Sequence, residues 1–251
     1  MKKRNLLYWL VAVVMVALMI GSYLHVHKAE QKNAIVVEKQ NKKAKAQAKK
    51  VKQMNKEQKK RLITPIDWTK PSLKGAYPDL AQYKNLKKNS QQIWIEVSTK
   101  KQRVYIKQGP YTIYTMYASV GKNYDNGKKQ TENYQKTPIG TFKIQKQRGT
   151  GYYNAALGYG AKYWTSFDGK GVYRFESVPV DQNGNFIEAQ AKRLGQTNVT
   201  RKNNIEAYGC VRLSEPDAKW IMENIKPKTH VVIHGKDSDD DNFLEFLDDD
   251  K

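Results

Sequence analysis

The sequence predicts a mainly β domain that follows an N-terminal transmembrane helix and a basic stalk. Three observations lead to this fold class. Residues 5–24 form an apolar run without charge, residues 28–61 are rich in lysine, glutamine and alanine, and from Gln91 onward short apolar stretches alternate with polar residues and turns. Alternation with a period of two is typical of half-buried strands. The expected organisation is an anchor over 1–27, a basic stalk and lead-in over 28–90, a domain over 91–235 and an acidic tail over 236–251.

The first segment has the length and composition of one membrane crossing. A helix needs about 20 apolar residues to span a bilayer, and residues 5–24 supply an uncharged run of that length. The basic residues at 2–4 precede it, which favours a cytoplasmic N-terminus and an extracellular C-terminal domain. A cleaved signal peptide is the alternative. Because Gly21-Ser22-Tyr23 is a poor cleavage site and the run is long for a signal peptide, we expect an uncleaved, single-pass anchor in the cell membrane.

The positive charge of the chain is concentrated beside this run. The formal net charge is +21, and residues 28–61 hold thirteen Lys or Arg against three acidic residues, with no aromatic residue. Such a segment cannot bury a core, so we expect a disordered stalk or a solvated helix that holds the domain off the membrane. A further hypothesis is that the basic stalk contacts anionic surface polymers or lipid headgroups. Since the charge lies in a stalk next to a predicted anchor, nucleic-acid binding is disfavoured.

Within the domain, the pattern first predicts an antiparallel meander. Strands are expected over 93–97, 104–106 and 111–120, with polar or Gly-Pro turns between them. The later elements are predicted in chain order: a strand over 141–145, an irregular stretch over 148–168, a strand over 172–175, a short helix around 188–194, a helix capped by Ser214 that ends near 225, and a closing strand over 231–233.

One stretch carries the only cysteine, and it reads Ala207-Tyr208-Gly209-Cys210-Val211-Arg212-Leu213-Ser214. Gly209 lets the backbone approach a substrate because glycine lacks a Cβ. The helix predicted after Ser214 places Cys210 where backbone N–H groups and the helix dipole favour a thiolate. The alternative reading of Cys210 is a small buried apolar residue. A single cysteine excludes an intrachain disulfide, and without a Cys/His cluster at metal-ligand spacing we expect neither a metal nor another cofactor.

Two segments that occur in this order form a specific pair: Thr137-Pro138-Ile139-Gly140-Thr141-Phe142 and Gly209-Cys210-Val211-Arg212-Leu213. Together they resemble the L,D-transpeptidase (YkuD-type) catalytic domain family, over roughly residues 91–235. The resemblance implies a β-sandwich or barrel with a short helix after the cysteine motif. It also implies an enzyme that acts on peptidoglycan stem peptides through a cysteine and needs no cofactor.

Two positions depart from the family pattern. The family usually has a histidine before the Gly-Cys pair and a histidine base within Phe-His-Ser-Val-Pro, where this chain has Tyr208 and Glu176. By position, Cys210 is the expected nucleophile and Glu176 the expected base, with a structural ion pair as the equal alternative for Glu176. The resemblance implies substrate contacts for four further residues: Arg212, Tyr208, Gly209 and Ser177. Arg212 can bind a carboxylate bidentately or form an internal ion pair, and Tyr208 can shape the donor site or simply pack.

The expected function is that of a membrane-anchored, cell-surface L,D-transpeptidase. Cys210 would attack the carbonyl of the residue that precedes the terminal D-alanine of a tetrapeptide stem. The resulting thioester would pass to an amine of a neighbouring stem and cross-link the wall. Two alternatives stay open: an L,D-carboxypeptidase, in which water resolves the thioester, and a catalytically degenerate module that only binds peptidoglycan.

Overall fold

The computed structural model describes residues 2–83, 92–121, 137–168, 171–197 and 209–235, except for the side chains of residues 2–8 and 11–12. The chain divides into two compact units, residues 1–52 and 53–251. Tyr208 and the predicted acidic tail lie outside the described residues.

The N-terminal segment is one uninterrupted helix, α1, which spans Lys2–Arg61. Of the two predicted states of the basic segment, a disordered stalk and a solvated helix, the structure has the helix. Its high content of lysine, alanine and glutamine favours this state. In the part of the chain that the structure describes, no helix is both long and apolar enough to cross a membrane. The described residues therefore do not support the predicted transmembrane anchor.

The second unit contains two five-stranded sheets, and both are mixed. The first has the strand order β3-β2-β1-β10-β5, with β1 and β10 parallel, and the second has the order β4-β9-β8-β7-β6, with β8 and β9 parallel. The described strands are β1 Ile93–Ser98, β2 Arg103–Gln108, β3 Tyr111–Tyr117, β4 Ser119–Val120, β5 Gly140–Lys143, β6 Arg148–Asn154, β7 Tyr159–Asp168, β8 Tyr173–Ser177, β9 Val211–Leu213 and β10 His230–His234. The prediction of a mainly β domain that opens with a meander is confirmed.

One hydrophobic core lies between the sheets and a helix. Ile95 and Val97 of β1 and Phe175 of β8 are among its fully buried residues. Helix α3, Glu215–Asn224, adds Trp220 and Ile221 to the same core. A shorter helix, α2, spans Glu188–Ala191. Both helices occur where the sequence predicts them.

The prediction of an irregular stretch over 148–168 is wrong, because these residues form the antiparallel hairpin of β6 and β7. Its glycines allow close approach and do not break the strands. A Cβ on Gly160 would lie 2.0 Å from the carbonyl oxygen of Tyr152, and a Cβ on Gly149 would lie 2.8 Å from Nε1 of Trp164. Gly160 therefore lets β7 approach the backbone of β6, and Gly149 leaves room for the Trp164 ring.

The segment before β1 is tied to the domain by Asp217 of α3. The Ser72 hydroxyl donates to Asp217 Oδ2 at 2.5 Å, and the Tyr77 hydroxyl donates to Asp217 Oδ1 at 2.8 Å. Burial raises the pKa of Asp217 to about 6, against the hydrogen bonds from Ser72, Tyr77 and Ser214, which lower it. Ser214 also caps α3, as predicted, by accepting from the Asp217 N–H at 3.3 Å. The lead-in is therefore packed against the domain.

Candidate active site around Cys210

Cys210 lies at the point where the chain enters β9. Gly209 precedes it with φ +82°, a conformation that favours glycine, so the backbone can turn sharply into the strand. The thiol is 4% exposed, and its Sγ–H donates to the carbonyl oxygen of Val172 at 3.7 Å. β9 then pairs in parallel with β8, in a register that places Glu176 opposite Arg212. The cysteine motif and the Phe-Glu-Ser-Val-Pro segment thus meet on neighbouring strands.

The thiol is not activated by a helix. The sequence placed Cys210 just before a helix start, but β9 lies between them and α3 begins only at Glu215. Burial raises the pKa of the Cys210 thiol well above its ordinary value, and the charge of Glu176 raises it further. A backbone hydrogen bond from Arg174 and the charges of Arg212 and Arg174 act in the opposite direction. The prediction of a helix-stabilised thiolate is therefore wrong, since burial dominates.

Glu176 is the acidic group beside this thiol. Its side chain is fully buried, and its Oε2 accepts a hydrogen bond from the Tyr152 hydroxyl at 2.7 Å. Burial raises the pKa of Glu176, whereas the charge of Arg212, the Tyr152 hydrogen bond and the charge of Arg174 lower it. The Cys210 thiol also interacts with this carboxyl and lowers its pKa. The structure therefore brings together the two groups that the sequence predicted as nucleophile and base.

Arg212 is held by two contacts, and its Nε faces Glu176 Oε1 at 3.7 Å without a hydrogen bond. Its Nη1 donates to Gln190 Oε1 at 2.8 Å, and its guanidinium carbon lies 5.0 Å from the centroid of the Tyr159 ring. The side chain is 4% exposed, yet Nε and Nη2 have no hydrogen-bond partner among the described residues. Nε and Nη2 form the side-on edge of a guanidinium, which matches the two oxygens of a carboxylate. Buried donors of this kind suit a ligand that supplies acceptors.

Ser177 has a different environment from the one that the sequence suggested. Its hydroxyl accepts from the N–H of Lys162 at 2.9 Å and donates to the carbonyl oxygen of Val178 at 2.8 Å. The side chain is fully buried and links β7 to the end of β8. Among the other predicted binding residues, Gly209 adjoins the thiol directly.

Two residues of the site, Tyr152 and Gln190, were not found by sequence reasoning, whereas Arg174 was expected as a possible ion-pair partner of Glu176. Tyr152 lies in the hairpin that was predicted to be irregular, so nothing in the sequence placed its hydroxyl near Glu176. Arg174 and Glu176 are two residues apart on β8. Because side chains at i and i+2 of a strand lie on the same face of the sheet, this spacing is the one sequence signal that links them. Gln190 lies on α2, far from Arg212 in sequence, and gave no signal.

Thr137 connects the two sequence motifs. Its hydroxyl accepts from the N–H of Gly121 at 2.8 Å and donates to the carbonyl oxygen of Cys210 at 3.5 Å. The threonine of the upstream motif therefore supports the backbone of the cysteine motif.

The histidines of the domain are not in this site. His230 and His234 both belong to β10 in the first sheet, where His234 Nε2 lies 3.0 Å from Glu96 Oε1. Among the described residues, no group of His, Cys, Asp or Glu side chains could hold a metal ion. Within the described ranges, the charged groups that interact with Cys210 are thus the carboxyl of Glu176 and the two arginines Arg174 and Arg212.

Comparison with known proteins identifies the family. The family model described as the YkuD L,D-transpeptidase catalytic domain matches residues 90–233. The "Putative L,D-transpeptidase YciB" of Bacillus subtilis (strain 168) is 40% identical over 170 residues, which are 68% of this chain and 75% of that protein. Among solved structures, an L,D-transpeptidase from Mycobacterium smegmatis has a TM-score of 0.40 at 15% identity, over 57% of this chain and 58% of that one. A fused Zn-dependent amidase/peptidase/peptidoglycan-binding domain-containing protein from Clostridium acetobutylicum ATCC 824 has a TM-score of 0.38 at 24% identity, over 68% and 70% of the two chains. The chain belongs to the YkuD family of L,D-transpeptidase catalytic domains.

Proposed function

We propose that the domain is a peptidoglycan L,D-transpeptidase in which Cys210 is the nucleophile and Glu176 the proton acceptor. The observation that carries this proposal is the buried position of the carboxyl on β8 and of the thiol directly before the neighbouring strand β9, with the charges of two arginines acting on both. A nucleophile within reach of a base that a third group orients is the general arrangement for covalent catalysis. Because peptidoglycan is the proposed substrate, we also propose that the catalytic domain acts in the cell envelope.

The first half-reaction forms a thioester. The Cys210 S–H bond breaks, its proton passes to the Glu176 carboxylate, and the sulfur attacks the carbonyl carbon of the residue before the terminal D-alanine. Backbone N–H groups at Gly209 and Cys210 are the candidate donors to the oxyanion. The C–N bond then breaks, and the Glu176 carboxylic acid returns its proton to the leaving amine of D-alanine.

The second half-reaction restores the enzyme. An amine of a neighbouring stem attacks the thioester carbonyl and gives its proton to Glu176. The C–S bond breaks, an amide cross-link forms, and the thiolate takes the proton back from Glu176. With water as the acceptor, the same steps release the shortened stem, which is the carboxypeptidase alternative.

Charge balance makes this proton transfer feasible in a buried site. With Glu176 ionised and Cys210 neutral, the pair carries one negative charge. After transfer, the carboxyl is neutral and the thiolate carries that charge, so the total does not change. The positive charges of Arg174 and Arg212 offset the cost of burying this single negative charge in both states. The active form is therefore the singly ionised pair, whose population grows as the pH rises through the raised pKa of Glu176.

Arg212 is proposed to hold the terminal carboxylate of the donor stem. Its open Nε and Nη2 edge is buried, which strengthens a charge-assisted bidentate bond. Tyr208, next to Gly209 in sequence, is proposed to line the donor site. We assign no substrate contact to Ser177, because its hydroxyl already bonds to Lys162 and Val178.

A second function, a non-catalytic peptidoglycan-binding module, is favoured by the state of the thiol. Cys210 is buried, its pKa is raised, and its hydrogen is committed to the Val172 carbonyl. A site that never ionises its cysteine could still bind a stem peptide through Arg212.

Incubation of the protein with a tetrapeptide muropeptide, followed by mass spectrometry, distinguishes these functions. A transpeptidase releases D-alanine and forms a cross-linked dimer, and a carboxypeptidase releases D-alanine and leaves a tripeptide. Cys210→Ala, which keeps the volume of the site nearly constant, is the control and should give neither product. Binding of the muropeptide without released D-alanine would replace the enzyme proposal with the binding module.

A further inference from the structure

The Tyr152 hydroxyl is the closest partner of the Glu176 carboxyl. It donates to Oε2 at 2.7 Å, whereas Oε1 has no hydrogen-bond partner among the described residues. The two oxygens of one fully buried carboxyl thus have different environments. One accepts a hydrogen bond from the β6–β7 hairpin, and the other lies 3.7 Å from Arg212 Nε, too far for a hydrogen bond, and can still accept a proton.

The Tyr152 ring is itself held in place. The Arg174 guanidinium stacks on it, with the guanidinium carbon 4.4 Å from the Tyr152 centroid and 4.7 Å from the Trp164 centroid. The Tyr152 and Trp164 rings meet edge to face, with centroids 6.4 Å apart. In the neighbouring strand, Gly160 lets β7 approach the Tyr152 backbone at a distance that a Cβ would prevent. Such a supported ring keeps its hydroxyl aimed at Glu176.

We propose that Tyr152 is a positioning residue, which fixes Oε2 of Glu176 so that Oε1 is the atom that takes the proton from the nucleophile. This inference rests on the proposed function, in which Glu176 is the proton acceptor. Tyr152 would not contact the substrate's reacting atoms. It would act as the third group that orients a base, the part that another side chain plays in other cysteine and serine acyl-transfer sites.

The Tyr152 hydroxyl also sets how readily Glu176 ionises. A hydroxyl donates more strongly to a carboxylate than to a carboxylic acid, so this bond lowers the pKa of Glu176 against the effect of burial. Burial and the charge of Glu176 raise the pKa of Tyr152, so it keeps its proton and stays a donor. The titratable and charged groups around Glu176 are Tyr152 on β6, Tyr159 on β7, Arg174 on β8, Cys210 before β9 and Arg212 on β9.

Infrared titration of the full chain tests the inference without reference to turnover. The carbonyl stretch of a protonated carboxylic acid reports Glu176 when the band is absent from Glu176→Gln. In Tyr152→Phe, loss of the hydrogen bond should raise the titration midpoint of this band by about one pH unit, the size expected for one charge-assisted hydrogen bond. The acid limb of kcat/KM for tetrapeptide should move by the same amount. Tyr153→Phe, on the neighbouring residue that is 43% exposed, should shift neither.

The outcomes separate this inference from the proposed function. Equal shifts of the infrared midpoint and of the acid limb in Tyr152→Phe support the inference, whereas a wild-type protein that releases no D-alanine from tetrapeptide overturns the proposed function and the inference with it. An active enzyme in which Tyr152→Phe leaves both the infrared midpoint and the acid limb unchanged overturns the inference and leaves the function standing. If Tyr152→Phe unfolds, a Tyr152→4-fluorophenylalanine variant keeps the ring and its stacking on Arg174 but removes the hydroxyl donor. The infrared midpoint and the acid limb of kcat/KM of this variant then decide in the same way.

Discussion

Glu176 Oε1 and Arg212 Nε lie 3.7 Å apart across the parallel strands β8 and β9, in a pair that is almost completely buried. This separation is too long for a hydrogen bond. It leaves an acceptor and a donor that face each other without direct contact, next to the thiol of Cys210. An ion pair built only for stability would be expected to close to hydrogen-bond distance, because both ions have lost their water. The gap therefore fits a site that completes its hydrogen bonds with a ligand.

Arg212→Lys should weaken the binding of donor stems. A lysine keeps the charge but loses the side-on edge, so we expect kcat/KM for a tetrapeptide to fall about 10- to 100-fold, the equivalent of one bidentate charge-assisted contact. A tetrapeptide amide, which lacks the terminal carboxylate, should lose little further affinity in this variant. Steady-state kinetics with both peptides measures the effect.

Arg148→Lys is the matched control for this change, since Arg148 donates to the carbonyl oxygens of Met222 and Ile225 at the end of α3. It should lower stability but leave the preference for the carboxylate intact. If Arg212→Lys discriminates between the acid and the amide as well as wild type does, Arg212 does not hold the carboxylate.

Glu176→Gln should separate thiol reactivity from transfer. Removal of the carboxylate charge lowers the pKa of Cys210, so alkylation by iodoacetamide should become faster at a given pH. Transfer should nevertheless fall by about 100-fold or more, because the proton acceptor is gone. Glu215→Gln, which changes a carboxyl 3.8 Å from Lys162, is the control and should alter neither rate. A Glu176→Gln enzyme that keeps its transfer rate and melts at a lower temperature would make Glu176 a structural partner only.

Asp217 should make the domain less stable as the pH rises from 4 to 7. Its pKa is about 6 in the folded state and 3.8 as a free side chain. Because the folded pKa is the higher one, the stabilisation is fully present below pH 4 and is lost as the pH rises through 6. The loss amounts to about 3 kcal/mol, at 1.36 kcal/mol per pH unit. Urea unfolding of wild type and Asp217→Asn across this range measures the slope, which should flatten in the variant.

Asp67→Asn is the control for this pH dependence. The hydrogen bonds of Thr69 lower the pKa of Asp67 to about 2, the opposite direction. Its stabilisation is present above the unfolded pKa and is lost only as the pH falls toward 2. This variant should keep the wild-type slope between pH 4 and pH 7, and equal slopes in Asp217→Asn and wild type would contradict the assignment.

The segment from Leu62 to Tyr83 should be needed for a stable domain. A fragment of residues 53–251 should melt cooperatively, unaffected by chelator or reductant. A fragment of residues 92–251 loses Leu73, which is 1% exposed, and the Ser72 and Tyr77 donors of Asp217. We expect it to be less stable by at least about 3 kcal/mol, from lost apolar burial and an unpaired buried carboxyl. Equal melting temperatures of the two fragments would contradict this.

The strands that alternate clearly could be predicted from sequence. β1 and β2 carry aliphatic residues at alternate positions, which all point into the core, and β10 is a short, continuous apolar run that is typical of a buried strand. α3 was predicted because Ser214 and Asp217 form a local cap. The β6–β7 hairpin was missed because its glycines mark close packing against Tyr152 and Trp164, a tertiary contact that resembles a loop pattern in the sequence.

Only the site residues that lie within the two sequence motifs or the Phe-Glu-Ser-Val-Pro segment could be predicted. Cys210 and Glu176 were identified by position within segments that resemble the family, and the register of β8 and β9 brings them together. The state of the thiol could not be read from the sequence, because it depends on burial by Val172 and on the charge of Glu176. The contacts of Tyr152 and Gln190 arise from distant segments and have no local pattern.

Acylation of the protein by a carbapenem, followed by intact-mass and peptide mass spectrometry, is the direct test of Cys210 as an acyl-transfer nucleophile. We expect one adduct on wild type, located at Cys210, and none on Cys210→Ala with an unchanged melting temperature. The adduct should form faster as the pH rises through the raised pKa of Glu176. A folded wild-type protein that gains no adduct at any pH, and that releases no D-alanine from a tetrapeptide, would contradict the assignment of Cys210 as an acyl-transfer nucleophile.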